Sequence, residues 1–157
     1  WPVGVPETVS RQFIDLVEQG RIVQNWWSLF SNAFHGVLAP TGEMLGLPEP
    51  TQPAPHQGLS RYAGHYGNDY LGEVRVEALR AAPGGVGHGK DRLRVTLGPQ
   101  RIEHVCAHWS GDDFVFSPPD ELASPGSLSV ARFDVKAGTL WLEVYDGDGQ
   151  GRVQRLA

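Results

Sequence analysis

The 157-residue sequence is short of cysteine, methionine and lysine, with one, one and two residues respectively. A single thiol, Cys106, cannot close an internal disulfide, so a disulfide-stapled scaffold is excluded and the redox compartment is left open. Lysine is replaced by arginine, eleven against two, a bias that reads as a GC-rich genome rather than as a function. Positive charge is not in excess either: 13 basic residues against 18 acidic give a net charge of −5. Residues 1–60 carry 2 basic and 5 acidic residues, and residues 61–157 carry 11 and 13. Neither half therefore has the electrostatic footing for nucleic acid. Long apolar runs are missing: Trp26 to Leu38 is interrupted by Ser28, Ser31, Asn32 and His35, and falls short of the ~20 residues that span a bilayer. Neither a membrane partner nor a coiled coil is expected. The chain opens at Trp1 with no charged segment leading into an apolar one. It reads as a piece of a longer polypeptide, which leaves its compartment open between cytoplasm and periplasm.

What is present is 20 glycines and 12 prolines beside five Trp, four Tyr and six Phe. The first set calls for many turns, and the aromatics rule out disorder. The length suits one domain, or one modest domain with an appendage.

Residues 1–38 predict two short α-helices. Pro6 suits a first helical turn, where its missing N–H costs nothing. Val9, Phe13, Leu16 and Val17 make a one-sided apolar stripe, and Gly20 is placed as a left-handed terminator. Asn25 caps a second helix whose apolar face is Trp26, Leu29, Phe30, Ala33, Phe34 and Val37. Two such faces cannot bury each other alone. Residues 39–60, with Pro40, Pro48, Pro50, Pro53 and Pro55, predict an extended, semi-rigid linker.

From Arg61 the period becomes two. Eight strands are predicted near 61–67, 70–79, 91–97, 101–109, 112–117, 127–134, 138–145 and 151–156. The turn signals between them are Asn68-Asp69, Pro83-Gly84-Gly85, Gly98-Pro99, Gly111-Asp112, Pro118-Pro119, Ala137-Gly138 and Asp146-Gly147. The fold class is mainly β, an eight-stranded antiparallel up-and-down barrel over residues 61–157. Val74, Val76, Leu93, Val95, Leu97, Phe114, Phe116, Leu140, Leu142 and Val144 supply its apolar face. A barrel of this size is filled by side chains or holds one small ligand.

Several stretches imitate sites. Gly84-Gly85-Val86-Gly87-His88-Gly89-Lys90-Asp91 reads G-x-x-x-x-G-K, but Asp91 follows where a hydroxyl and a helix are needed. A glycine-rich hairpin loop is the expectation. Asp146-Gly147-Asp148-Gly149 begins like a calcium loop, yet the bidentate Glu would fall at Ala157, so a hairpin turn is expected. His104, Cys106 and His108 alternate on one strand face, where the outer two are about 13 Å apart. No single ion reaches all three from a regular strand, though two of them with a ligand from elsewhere could hold one. His108 is expected to be a structural partner of Trp109, and Cys106 a small half-buried residue. No cofactor or metal is implied. In strand 138–145, Leu140, Leu142 and Val144 form one row and Thr139, Trp141, Glu143 and Tyr145 the other. One row must face outward, making Trp141 and Tyr145 candidates for a docking surface.

The run Tyr62-Ala63-Gly64-His65-Tyr66-Gly67-Asn68-Asp69-Tyr70-Leu71-Gly72-Glu73-Val74, with Ala107-His108-Trp109-Ser110-Gly111-Asp112-Asp113-Phe114, resembles a known C-terminal domain. It is the lipocalin-like β-barrel appended to serine β-lactamase-like hydrolases, a family of class C β-lactamase relatives, penicillin-binding proteins, D-aminopeptidases and esterases. The opening Trp1-Pro2-Val3-Gly4-Val5-Pro6-Glu7 resembles the last strand exit and C-terminal helix of the hydrolase itself. The resemblance makes Tyr62, Gly64, Tyr66, Asn68, Gly72, His108, Trp109 and Phe114 structural motif residues. It also implies a serine in S-x-x-K, a Tyr-x-Asn element and a Lys-Thr-Gly-like strand. The sequence contains no S-x-x-K. Tyr66-Gly67-Asn68 lies within the barrel motif, and Lys136-Ala137-Gly138 lacks the hydroxyl. Without an activated nucleophile, acyl transfer cannot begin. The expectation is therefore a non-catalytic accessory domain whose partner is a missing N-terminal hydrolase domain. A small-ligand-binding barrel and a self-association module acting through Trp141 and Tyr145 are the alternatives.

Overall fold

The computed structural model describes residues 3–79 and 91–157. Trp1-Pro2, the predicted turn Pro83-Gly84-Gly85 and nearly all of the G-x-x-x-x-G-K imitation lie outside the described residues. The chain divides into two units, one ending at Pro40 and the other running from Thr41 to Ala157.

The first unit is helical, with α1 at Val5–Gln19 and α2 at Trp26–Ala33. Glu7 begins α1 by reaching back, its Oε2 accepting the Gly4 N–H at 2.9 Å. Gly20, at φ 69°, ends the helix and returns its N–H to the Leu16 carbonyl. Asn25 caps α2 by accepting the Ser28 N–H at 3.0 Å. Between the helices, Asp15 Oδ2 accepts from the Trp26 indole N–H at 2.7 Å and the Val23 N–H at 3.0 Å. The Trp26 bond first, and the Val23 bond second, hold this carboxyl below its ordinary range. Trp26, Phe30 and Phe34 stack in succession at 6.1 and 6.2 Å. The stripe on α1 stays uncovered: Val9, Phe13 and Val17 are 59, 66 and 69% exposed. No described helix is long and apolar enough to cross a membrane.

The second unit is a closed antiparallel barrel in which every strand pairs with its neighbours in sequence. Its strands are β1 Gly64–Asn68, β2 Gly72–Leu79, β3 Arg92–Leu97, β4 Ile102–Ser110, β5 Asp113–Phe116, β6 Ser129–Asp134, β7 Thr139–Leu142 and β8 Arg152–Arg155. Alternation decides which side chains enter. On β3, Leu93, Val95 and Leu97 are buried between Arg92, Arg94 and Thr96. Tyr66, Val74, Val76, Cys106, Phe114, Phe116, Ala131, Phe133, Leu140, Leu142 and Val153 complete the core. A 3₁₀ turn, Leu59–Arg61, precedes β1, so the predicted first strand starts three residues late. That turn delivers Tyr62 to the middle of the core, with no exposed surface.

The last long strand also departs from expectation. β7 stops at Leu142, and Glu143–Tyr145 forms a 3₁₀ turn. Glu143 ends the ladder by turning back on β6, its Oε2 accepting the Val130 N–H at 2.9 Å. The Val144 N–H goes to Ser129 Oγ at 3.1 Å. Tyr145 is thereby turned against the core and does not share an outward row with Trp141.

Residues 41–58 are not a free tether but a strap bonded along the barrel. Thr41 donates to Ser127 Oγ at 2.9 Å and accepts the Leu128 N–H at 3.0 Å. Farther on, Ala54 donates to Ser110 Oγ and accepts the Gly111 N–H. At Gly42, φ is 137°, and a Cβ there would lie 1.8 Å from the Leu128 carbonyl oxygen. Gly42→Ala must therefore lift the strap, at a cost of about 1–3 kcal/mol in urea unfolding. The Leu128 amide should exchange at least tenfold faster while amides of β3 keep their protection; unchanged exchange at Leu128 would sink the strap.

Candidate functional site

Where the strap meets the barrel mouth, polar and aromatic groups converge. The Tyr62 hydroxyl donates to Asp112 Oδ1 at 2.5 Å and accepts the Gln57 N–H at 2.8 Å. Gln57 Nε2 donates to the other Asp112 oxygen at 2.9 Å. Burial first, and the Asp112 bond second, push the Tyr62 phenol up to about 12. Its ring meets Phe114 edge-on at 5.2 Å and Phe133 at 4.8 Å. His56, from the strap, accepts the Gly58 N–H on Nδ1 at 2.9 Å, which leaves Nε2 to donate to Asp91 at 2.7 Å. Its ring lies 5.0 Å from that of His108, edge to face. His108 Nε2 donates to the Gly111 carbonyl at 3.0 Å, and its ring also meets Phe114 edge-on at 5.4 Å, so its partners are this turn, His56 and Phe114 rather than Trp109. The cluster fastens the strap.

The row His104, Cys106 and His108 does not assemble a metal site. Among the described residues no group of three His, Cys, Asp or Glu side chains could hold an ion. His104 and Cys106 point into the core, where Cys106 is fully buried rather than half-buried. Burial pushes its thiol up to about 12, which leaves it an inert apolar filler. His104 Nε2 meets the Tyr145 hydroxyl at 2.7 Å, and its ring lies 4.5 Å from that of Phe116. Burial holds this imidazole below its ordinary 6.5 and pushes Tyr145 up to about 12.

The other motif residues sit on structural bonds. Asn68 Oδ1 accepts the Tyr70 and Leu71 N–H groups, while its Nδ2 donates to the Gln150 and Arg152 carbonyls. Tyr66 donates to the Tyr62 carbonyl at 2.8 Å. Gly64 leaves room for the Arg155 guanidinium, 2.9 Å from where a Cβ would stand. Arg155 donates to the carbonyls of Arg61 and Ala63 and covers the Tyr66 ring at 5.7 Å. Gly72 opens β2 at φ 69°, and Trp109 is half-buried on β4. The calcium-loop imitation resolves as a turn: Asp146 Oδ2 accepts from the Trp141 indole and Oδ1 from the Gly151 N–H, both at 2.7 Å. Lys136-Ala137-Gly138 is the β6–β7 turn, pinned by Asp134 Oδ1 on the Lys136 and Ala137 N–H groups.

Trp141 lines a groove of about 690 Å³ with Gln57, Asp112, Arg132, Lys136 and Arg152 among its walls. The lysine and the two arginines give it cations. Arg132 is paired to Asp113 at 2.8 Å and to Glu43 at 3.2 Å, and lies 5.3 Å over the Trp141 ring. Sequence reasoning missed His56, Asp112, Arg132 and Arg155. Their partners are far away in sequence, and only His56 in a proline-rich stretch stood out from its surroundings.

Buried neutral His104 sets a pH dependence. The unfolded imidazole takes its proton near 6.5, before the folded one, so stability is full above that pH and falls as pH drops below it. The limit is about 1.4 kcal/mol per pH unit. Urea unfolding between pH 5 and 8 should show a shallower acid limb for His104→Phe than for the parent chain. Parallel limbs would mean that folding does not perturb His104.

Among solved structures, the chain is similar to the C-terminal domain of penicillin binding protein Rv0907. Identity is 39% and the TM-score 0.55, with 70% of this chain and 96% of that one covered. No family model matches the chain, and no curated protein does.

Proposed function

Because the chain belongs to the family of penicillin-binding-protein C-terminal domains, among the serine β-lactamase-like hydrolases, we propose that it is a non-catalytic accessory region of such an enzyme. Its work is to pack on the catalytic domain, stabilising or partly shielding it. The parent reaction on this reading is hydrolysis of an amide, ester or lactam through an acyl-serine.

The observation that carries the proposal is the uncovered stripe of α1. Val9, Phe13 and Val17 recur every four residues on one helix face, and all three are more than half exposed. Solvent does not favour such a face, and burying one large apolar side chain stabilises by roughly 1.5–3 kcal/mol. The proposed cover is the catalytic domain of the same polypeptide. The lack of S-x-x-K in this sequence favours a chemical centre elsewhere. The ligand-binding alternative draws no support from the barrel interior. Tyr62, Phe114, Leu93, Leu140 and Leu142 already occupy it without exposed surface.

Two measurements test this reading. Alone, the chain should neither turn over nitrocefin or p-nitrophenyl acetate nor be labelled by a fluorescent penicillin, while the full-length parent is labelled. Turnover blocked by a serine-directed inhibitor would refute it. Phe13→Ser separates the docking claim: within about 0.5 kcal/mol of neutral in this chain, where the ring is exposed, it should cost the full-length parent about 2 kcal/mol. Equal effects in both would remove α1 as the contact.

A further inference from the structure

A single carboxylate joins three parts of the second unit that are far apart in sequence. Glu143 opens the 3₁₀ turn Glu143–Tyr145. Its Oε1 accepts the Glu43 N–H of the strap at 2.6 Å, and its Oε2 accepts the Val130 N–H of β6 at 2.9 Å. The next residue, Val144, donates its N–H to Ser129 Oγ, also on β6. The turn therefore clamps the strap to the barrel wall two residues beyond Thr41, where the second unit begins. The strap is also held at this end by the Thr41 bonds and by the Glu43–Arg132 pair. Both side chains of that pair are exposed, 46 and 40%, and such pairs hold weakly.

The other end of the turn rests on a buried base. The Tyr145 hydroxyl lies 2.7 Å from His104 Nε2. His104 is 3% exposed, with Phe116 of β5 at 4.5 Å, Val95 opposite on β3 and Cys106 farther along β4. Tyr145 and Cys106 are the titratable groups of this set, and burial pushes both up to about 12, so both are neutral. Neither answers a positive charge on the ring. The nearby carboxylates are engaged elsewhere: Glu143 on two backbone N–H groups, and exposed Glu103 on Arg94 at 3.4 Å. A proton on His104 thus places a charge in the core without a partner, and the ring regains hydration by leaving. Phe116, Val95 and Cys106 are buried, whereas Tyr145 is half-buried. The way out runs past the turn.

We propose that protonation of His104 opens the turn Glu143–Tyr145 and so unclamps Glu43, loosening this end of the strap in acid while the rest of the barrel stays closed. The moving segment is bounded on both sides. Leu142 before it is paired in β7 and donates its N–H to the Gly151 carbonyl. Asp146 after it is held by the Trp141 indole and the Gly151 N–H. Opening is therefore local, a sub-global event of the kind that amide exchange resolves. Its direction in pH follows from burial. The opened imidazole takes a proton near 6.5 and the closed one does not, so the open population grows as pH falls, by about tenfold one unit below that value. This device is independent of the α1 contact proposed above, and the chain alone suffices to test it.

The test is amide exchange of the ¹⁵N-labelled chain at pH 7.5 and 5.5, read as protection factors so that the pH dependence of the chemical step cancels. From the higher to the lower pH, the Glu43, Val130 and Val144 amides should together lose about tenfold in protection. Amides of β3, and Gly111 at the far end of the strap, should keep theirs. In His104→Phe the ratio between the two pH values should stay within about twofold of unity, which constitutive loosening by the substitution does not mimic. Unchanged protection in the parent chain would overturn the proposal. So would an undiminished loss in His104→Phe, which assigns the titration to another group, or an equal loss in β3, which means that the whole barrel opens. The parent chain also decides without the variant: a His104 ring that takes up its proton while these three amides stay protected would overturn it.

Discussion

Closure of the sheet at the β1–β8 seam is the constraint on which the second unit depends. The ladder there is brief: Tyr66 opposes Arg155 and Gly67 opposes Gln154. Side chains reinforce it. Arg155 ties β8 to the Arg61 and Ala63 carbonyls before β1, lies over the Tyr66 ring, and needs the bare Cα of Gly64 to do so. The Leu156 N–H adds a bond to the His65 carbonyl at 2.8 Å. Once this seam closes, none of the eight described strands keeps an edge to pair with another chain, and β-augmentation on them is removed as a way to bind partners. The interior becomes core. Any recognition by the barrel must then use its mouth, its loops or the outward faces of its strands.

The mouth is already occupied. Tyr62 links three things that would otherwise be separate: its ring packs with Phe114 and Phe133, and its hydroxyl joins Asp112 to the strap backbone at Gln57. Proline favours this arrangement because the strap loses little conformational freedom on docking. The strap in turn supplies Glu43 to Arg132 and His56 to Asp91. A segment with the composition of a semi-rigid linker is thereby built into the barrel wall.

Much of the fold was legible because its causes are local. Period-two alternation and glycine or proline punctuation revealed eight strands and their antiparallel order, and Pro6, Gly20 and Asn25 marked the helix ends. What could not be read depends on partners distant in sequence. Nothing near Glu143 announces that its carboxylate will take the Val130 N–H and stop β7 at Leu142. Tyr145 was therefore expected outside beside Trp141, whereas it packs against the core on His104. The strap was hidden for the same reason, since proline content reports stiffness and not whether the stiff segment is bonded to anything. Of the groove lined by Trp141 only that residue was foreseen; its cations come from two stretches, Arg132 with Lys136 and Arg152, that the barrel brings together.

The two units dispose of their apolar surface in opposite ways, and this bears on what each can do. The barrel buries its large side chains within itself and ties most carboxylates near its mouth and groove into local bonds. Little of its stability is owed to anything outside. The helical unit holds its two helices together through Asp15 and a stack of aromatic rings, yet leaves Val9, Phe13 and Val17 in solvent. A self-sufficient body beside an unsatisfied one is the arrangement expected of an accessory region. In the function proposed above, the unsatisfied part supplies the apolar attachment. The self-sufficient part keeps its shape through that attachment, free to present a fixed surface.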